Sequence, residues 1–310
     1  MADHAPDRSG TRVGVGLPQP PQSPVFRATQ ADRYQRQEAL RQIEEETGRR
    51  LICYAAAPEA LLDRTDVTYF ADLVHDLGPD EDVDLMISTN GGDVDAALRI
   101  VHLLRKRVPG GRLRAVIPNT AKSAGTLVAI GMDRIVMSDT SELGPIDPLL
   151  MVPGPGGILV RRPAKACTVA FEEALERAAA DDETRAAVWQ RLVETFDPAM
   201  LVMCREALDR TRDSAEQLLR DGMFRPGAAR DGNASWTQVA ANLIASGRLR
   251  THGAVITCDE AQRIGLEVDY LDPRSDLWQA FWRLHCLQVI RLGGGDRLFE
   301  GRRASLHVVD

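Results

Sequence analysis

Apolar and polar positions along this chain repeat in a strand–turn–helix rhythm. Residues 83–89 are largely apolar (Val83, Leu85, Met86, Ile87) and end at Asn90-Gly91-Gly92. Val94, Ala97, Leu98, Val101 and Leu104 then follow at helical spacing. The order recurs downstream: an apolar run over 113–117, the small-residue turn Ala121-Lys122-Ser123-Ala124-Gly125-Thr126, an apolar helix over 127–132 and a strand over 134–137. Upstream, 51–55 reads as a short strand, and Val67, Phe70, Leu73, Val74 and Leu77 mark an amphipathic helix over 66–77. Such βαβαβ alternation with short turns predicts an α/β fold with a parallel sheet and right-handed crossovers. Working residues in these sheets collect beyond the carboxyl ends of the strands. The Gly91-Gly92 turn and the Ser123 turn both fall there.

The remaining chain divides around this unit. Residues 1–28, rich in Pro, Gly and Ser without period, read as a disordered tail. A polar helix over 31–47 ends at Gly48 and is expected on a surface or against a partner subunit. A Gly- and Pro-rich loop runs to Gly157, and 168–219 is mostly helical with a break near Asp197-Pro198. One more helix is expected over 236–246. Thr257 with Glu260 three residues on forms a capping box before a short helix, and a final strand is expected at 265–268. An amphipathic helix over 277–292 carries Trp278, Phe281 and Trp282, and the polar tail from Gly293 reads as mobile. The expected organisation is a tail (1–28), one main domain (29–275), and a C-terminal helix with its tail (276–310).

Composition narrows the function classes. Across 310 residues, 44% hydrophobic and 27% charged positions suit a soluble protein with a sizeable core. A net charge of −7 argues against a dedicated nucleic-acid binder. The five cysteines are scattered, without CxxC spacing, and read as reduced thiols of a cytoplasmic protein with no metal site. No apolar run reaches the ~18 residues of a membrane span, and no secretory pattern opens the chain.

The chemistry concentrates in the two turns. A strand, a turn of small residues and an apolar helix present the Ser123 hydroxyl at a helix N-terminus, where free backbone N–H groups stabilise negative charge. That suits a nucleophile and its oxyanion; a helix cap at Ser123 is the plainer alternative. Paired glycines at Gly91 and Gly92 let the backbone turn sharply and bring an N–H to a substrate carbonyl, and the Ala124 N–H is the second donor.

Together, Ser88-Thr89-Asn90-Gly91-Gly92-Asp93 and Lys122-Ser123-Ala124-Gly125-Thr126 resemble the Clp protease and crotonase superfamily. Within it, Asp133-Arg134-Ile135-Val136-Met137, Leu143-Gly144-Pro145-Ile146-Asp147-Pro148 and Thr251-His252-Gly253 resemble the serine dehydrogenase proteinase family, a relative of signal peptide peptidase A. The resemblance covers roughly residues 30–275. It implies a ββα superhelix with a mainly parallel sheet and added C-terminal helices. It also implies a serine peptidase acting on peptides or proteins without a cofactor, and a homo-oligomer built from trimers or rings. The helices over 31–47 and 277–292 then become assembly surfaces or simply core. Asn90 departs from the pattern, since related peptidases have Pro there.

A serine nucleophile needs a base, and three candidates follow. Lys165 fits the Ser–Lys arrangement of the signal peptide peptidase relatives. His252 has side-chain chemistry suited to neutral pH. Asp147 is a weak base for a hydroxyl and reads better as a supporting residue in a Pro-flanked turn. Lys122 points away from its neighbour Ser123. Two other functions remain open: a crotonase-like enzyme acting on acyl-CoA thioesters, and a non-catalytic scaffold that binds peptides.

Overall fold

A computed structural model of the chain describes residues 23–153, 158–179, 183–194, 196–228, 232–244 and 252–309. Ser23 accepts the Phe26 N–H and caps helix α1 (Pro24–Thr29), which buries none of its residues. Part of the tail expected to be disordered is therefore a capped, surface-lying turn of helix, while residues 1–22 lie outside the described residues. Helix α2 (Ala31–Thr47) stops at Gly48 as the sequence predicts, and buries Ala39, Leu40 and Ile43.

Strand β1 (Arg50–Ala56), helix α3 (Asp66–Leu73), strand β2 (Val83–Ser88), helix α4 (Val94–Arg107) and strand β3 (Leu113–Val116) follow in the expected order. Asp93 accepts the Ala96 N–H and so fixes the start of α4 directly after the glycine turn. The short strand β4 (Thr120–Ala121) leads into α5 (Ala124–Ile130), every residue of which is buried, and then into β5 (Arg134–Met137). Strand β6 (Glu142–Leu143) pairs in parallel with β4, and this small pairing holds the 143–148 segment beside the Ser123 turn.

The expected Gly- and Pro-rich loop is instead largely a hairpin of β7 (Leu149–Pro153) and β8 (Leu159–Pro163), with residues 154–157 outside the described residues. Helices α6 (Ala164–Ala178), α7 (Glu183–Val193) and α8 (Pro198–Asp221) fill the predicted helical stretch, and Asp197 caps α8 at the predicted break. Then come α9 (Trp236–Leu243), α10 (Cys258–Ile264), β9 (Val268–Tyr270), α11 (Asp276–Val289), β10 (Arg297–Glu300) and β11 (Ser305–Val308). The Thr257–Glu260 capping box forms in full.

The main sheet has the order β11-β10-β1-β2-β3-β5-β9. Its five strands from β1 to β9 are parallel, and β10 and β11 add an antiparallel edge. One face is covered by α2 and α11, which pack on each other and bury Leu40, Ile43, Phe281 and Leu284 against Met86, Val116 and Val136. The other face holds α3, α4, α5 and α8. Trp278 and Phe281 are buried in this layer, the core alternative for those aromatics.

The tail from Gly293, expected to be mobile, is ordered sheet. Phe299 packs between the rings of Tyr54 and Phe70, and the charges that made the segment read as polar are paired inside. Arg36 holds Glu300 at 2.9 Å, and Arg297 reaches Asp63 at 2.8 Å and Asp66 at 3.2 Å. None of the helices is long and apolar enough to cross a membrane, among the described residues.

Candidate active site

Ser123 stands between β4 and α5 with φ +51° and ψ −114°, and is the one non-glycine residue with positive φ among the described residues. An L-residue in that region carries strain of about 1–3 kcal/mol, and such strain gathers at functional sites. Its side chain makes no capping hydrogen bond, so the plainer role as a helix cap is not the one it fills. The turn is held from both sides. Lys122 N–H donates to Thr89 O at 3.1 Å, Gly125 N–H donates to Lys122 O at 2.8 Å, and Leu127 N–H donates to Ser123 O at 3.1 Å.

Thr126 ties this turn to the next segment. Its buried hydroxyl lies 2.7 Å from Ala121 O and 2.9 Å from Gly144 O, and accepts the Gly144 N–H at 3.1 Å. A single hydroxyl proton serves one of those carbonyls at a time. Either way Thr126 joins the nucleophile helix to the 143–148 segment. Nothing in the sequence pattern marks it beyond its place in the Ser123 motif.

The glycine turn presses directly on Ser123. A β-carbon on Gly91 (φ +109°) would meet Ser123 Cβ at 2.7 Å and Lys122 O at 2.8 Å, and one on Gly92 (φ +152°) would run into the Leu62 backbone. Only glycine fits either position. The two amides differ in their use. Gly91 N–H donates to the Thr89 hydroxyl at 3.1 Å, while Gly92 N–H and Ala124 N–H have no acceptor among the described residues. The Thr89 hydroxyl was not singled out from sequence, since a threonine closing a buried strand carries no distinguishing signal. Asn90 turns outward and donates to Pro58 O at 2.9 Å.

The three further site candidates form a second group. Asp147 is buried, and its Oδ1 accepts the backbone N–H of Lys165 at 3.2 Å, at the start of α6. Burial pushes the Asp147 carboxyl above its ordinary range, against the opposing pull of that N–H and of the His252 and Lys165 charges. Both candidate bases thus act electrostatically on one carboxyl, which Lys165 also meets through its backbone N–H. His252 Nδ1 is buried with no hydrogen-bond partner among the described residues; Thr251 of the same motif lies outside them. Lys122 is engaged elsewhere, with its Nζ 2.9 Å from Glu142.

The 143–148 segment joins the two groups. Besides Thr126, it bonds Ile256 through a two-way pairing with Leu143 (3.0 and 2.9 Å), and Pro148 O accepts the Ala164 N–H at 2.8 Å. The helix bearing Lys165 and the chain leading from His252 are both anchored to it. A cavity of about 710 Å³ between α4 and α8 contains none of these residues. No cluster of three metal-ligating side chains occurs among the described residues.

An uncapped serine on a strained strand-to-helix turn, faced by a glycine turn at the carboxyl end of a parallel sheet, is the candidate site of this Clp-like fold. Residues 72–279 match the family of ClpP-like SDH-type serine proteinases, and the chain belongs to that family. Two uncharacterized proteins of Methanocaldococcus jannaschii are similar to it. MJ0137 is 29% identical over 193 residues, 61% of this chain and 54% of its own length. MJ1495 is 30% identical over 119 residues, 35% and 40%. The chain therefore spans about half or less of each of them. Among solved structures, two mutants of the 1510-N membrane-bound stomatin-specific protease are similar, the second in complex with a substrate peptide. They are 15% and 16% identical, cover 71% of this chain and 82% and 78% of theirs, and have TM-scores of 0.39 and 0.40.

Proposed function

We propose that the protein hydrolyses peptide bonds through an acyl-enzyme on Ser123, with Lys165 as the base. The observation that carries this reading is the strained, uncapped Ser123 beside two amides without acceptors, those of Gly92 and Ala124. Ser123 Oγ bonds to the carbonyl carbon as its proton passes to Nζ of Lys165. The oxyanion accepts from Gly92 and Ala124 N–H, each donor being worth about 3–4 kcal/mol in serine hydrolases. Gly91 provides the clearance rather than a donor, because its N–H is held by Thr89. The proton then moves to the leaving amine as the C–N bond breaks, and water releases the acyl group by the same route. Asp147 positions Lys165 through the backbone N–H it accepts.

His252 is the second reading for the base, favoured by its place beside Asp147. Against it, a triad of the Ser–His–Asp kind needs Nδ1 to donate to the carboxylate, and His252 Nδ1 makes no such bond. The test is hydrolysis of an unfolded protein or fluorogenic peptide by purified variants. Lys165→Ala should lower kcat at least 1,000-fold, as loss of a base does in such enzymes, with KM little changed, and His252→Gln should keep most of it. The reverse order would transfer the role to His252. Activity surviving Ser123→Ala would end the peptidase reading.

The same reading includes work in the cytoplasm as a homo-oligomer. Support for the first is that all five cysteines are free. Support for the second is a set of exposed apolar side chains on the hairpin and α6–α8, among them Met151, Ile158, Leu159, Val188 and Met203.

A further inference from the structure

The opposite end of the sheet carries chemistry that the peptidase site does not use. There the parallel strands begin, and arginines cluster. Arg114 and Arg134 stand directly opposite one another in the β3–β5 register, an arrangement of like charges that a sheet normally avoids. Around them lies a cavity of about 270 Å³ lined, among the described residues, by five arginines (Arg49, Arg112, Arg114, Arg134, Arg225) and two carboxylates, Asp133 and Asp269.

Most of these groups are already committed. The buried Asp84 carboxylate takes Arg49 at 2.5 Å and Arg114 at 2.7 and 2.9 Å. Arg49 also reaches Asp82 at 2.7 Å and two backbone carbonyls. Asp133 is shared between Arg105 at 2.8 Å and Arg225 at 3.1 Å, and Asp269 holds Arg134 at 2.7 Å. Arg112 differs: it is exposed, and its guanidinium has no partner among the described residues. Glu267 adds a further carboxylate 3.7 Å from Arg134, so the charges around the wall are largely matched and Arg112 is the guanidinium left to bind an anion.

We infer that this cavity is a site for a small inorganic phosphoryl anion, orthophosphate or pyrophosphate, separate from the peptidase site. Guanidinium forks match tetrahedral oxyanions, and the uncommitted Arg112 guanidinium lines the same concavity as four other arginines. At about 270 Å³ the cavity has room for a phosphoryl group. Ser123 and the glycine turn lie past the other ends of the same strands, so occupancy here acts on fold stability and not on the reacting atoms.

The test is calorimetric titration of the full chain with sodium pyrophosphate, beside thermal melts in pyrophosphate and in sodium chloride of matched ionic strength. Wild type should bind pyrophosphate and melt higher in it than in chloride. Arg112→Ala should melt as wild type in chloride and bind at least about tenfold more weakly, the effect of one charge-assisted hydrogen bond. Absence of binding heat in wild type, equal melts in the two salts, or unchanged affinity in Arg112→Ala would each overturn the assignment. A nucleoside triphosphate that binds tenfold more tightly than pyrophosphate would overturn the inorganic class.

Discussion

A β-carbon at Gly91 would stand 2.7 Å from Cβ of Ser123, so the two turns that carry the chemistry touch with no room for a side chain between them. Gly91→Ala must therefore push Ser123 or the glycine turn aside. Positive φ at Gly91 adds about 1–3 kcal/mol of strain. Displacement of a reacting group by about 1 Å costs on the order of 100-fold in rate. The expected outcome is a folded protein, destabilised by that amount in urea titrations, with kcat reduced at least 100-fold in peptide hydrolysis.

Strain at Ser123 predicts a trade between stability and activity. Glycine adopts φ +51°, ψ −114° without penalty, which relieves about 1–3 kcal/mol, and its extra chain entropy costs about 0.5–1 kcal/mol. Ser123→Gly should be inactive and about 1 kcal/mol more stable than wild type in chemical denaturation. Ser123→Ala should be equally inactive without that gain.

The Thr126 hydroxyl is the joint between the nucleophile helix and the 143–148 segment. Thr126→Val keeps the volume and strands the Gly144 N–H and a carbonyl in a buried place, at a cost of about 1–3 kcal/mol. Its kcat should fall as well, because Asp147 and the start of α6 hang from the same segment. Thr126→Ser should restore both quantities in melts and assays, which a purely volumetric effect would not allow.

These relations explain what was legible in the sequence. The βαβαβ core, the cap at Asp93, the break at Asp197 and both functional turns are local signals: periodicity, a capping residue or a glycine pair within a few positions. The edge strands around Phe299 and Ser305 were not legible, because their buried Arg297 and Glu300 make the segment look polar until Asp63, Asp66 and Arg36 arrive from far along the chain. The β7–β8 hairpin was hidden by its turn-forming residues. Lys165, read as a candidate base, sits at a helix start that only the Asp147 carboxylate identifies. Thr89 and the unequal use of the Gly91 and Gly92 amides depend on angles that sequence does not carry.

His285 gives a pH prediction. Burial lowers its pKa to about 4 from 6.5, and its Nδ1 finds no partner among the described residues. Between pH 6.5 and 4 the unfolded chain holds more protons at this group, so stability falls as pH drops through that window. Asp66 opposes it: burial raises its carboxyl to about 6, so the folded state keeps a proton that the unfolded chain loses above about 4, and its contribution fades as pH rises through 6. Replacing the histidine exposes one side of this balance. The stability of His285→Leu relative to wild type should grow as pH is lowered from 7 to 4.5 in urea titrations; a difference independent of pH would show that His285 takes up its proton as readily in the folded state as in the unfolded chain.

The most direct measurement of the central claim is reaction of the purified protein with a fluorophosphonate, followed by peptide mapping of the adduct by mass spectrometry. An activated Ser123 predicts one adduct per chain, on the peptide containing Ala121-Lys122-Ser123, absent in Ser123→Ala and strongly slowed in Lys165→Ala. An adduct on another residue, or folded wild type that never reacts, would contradict the account.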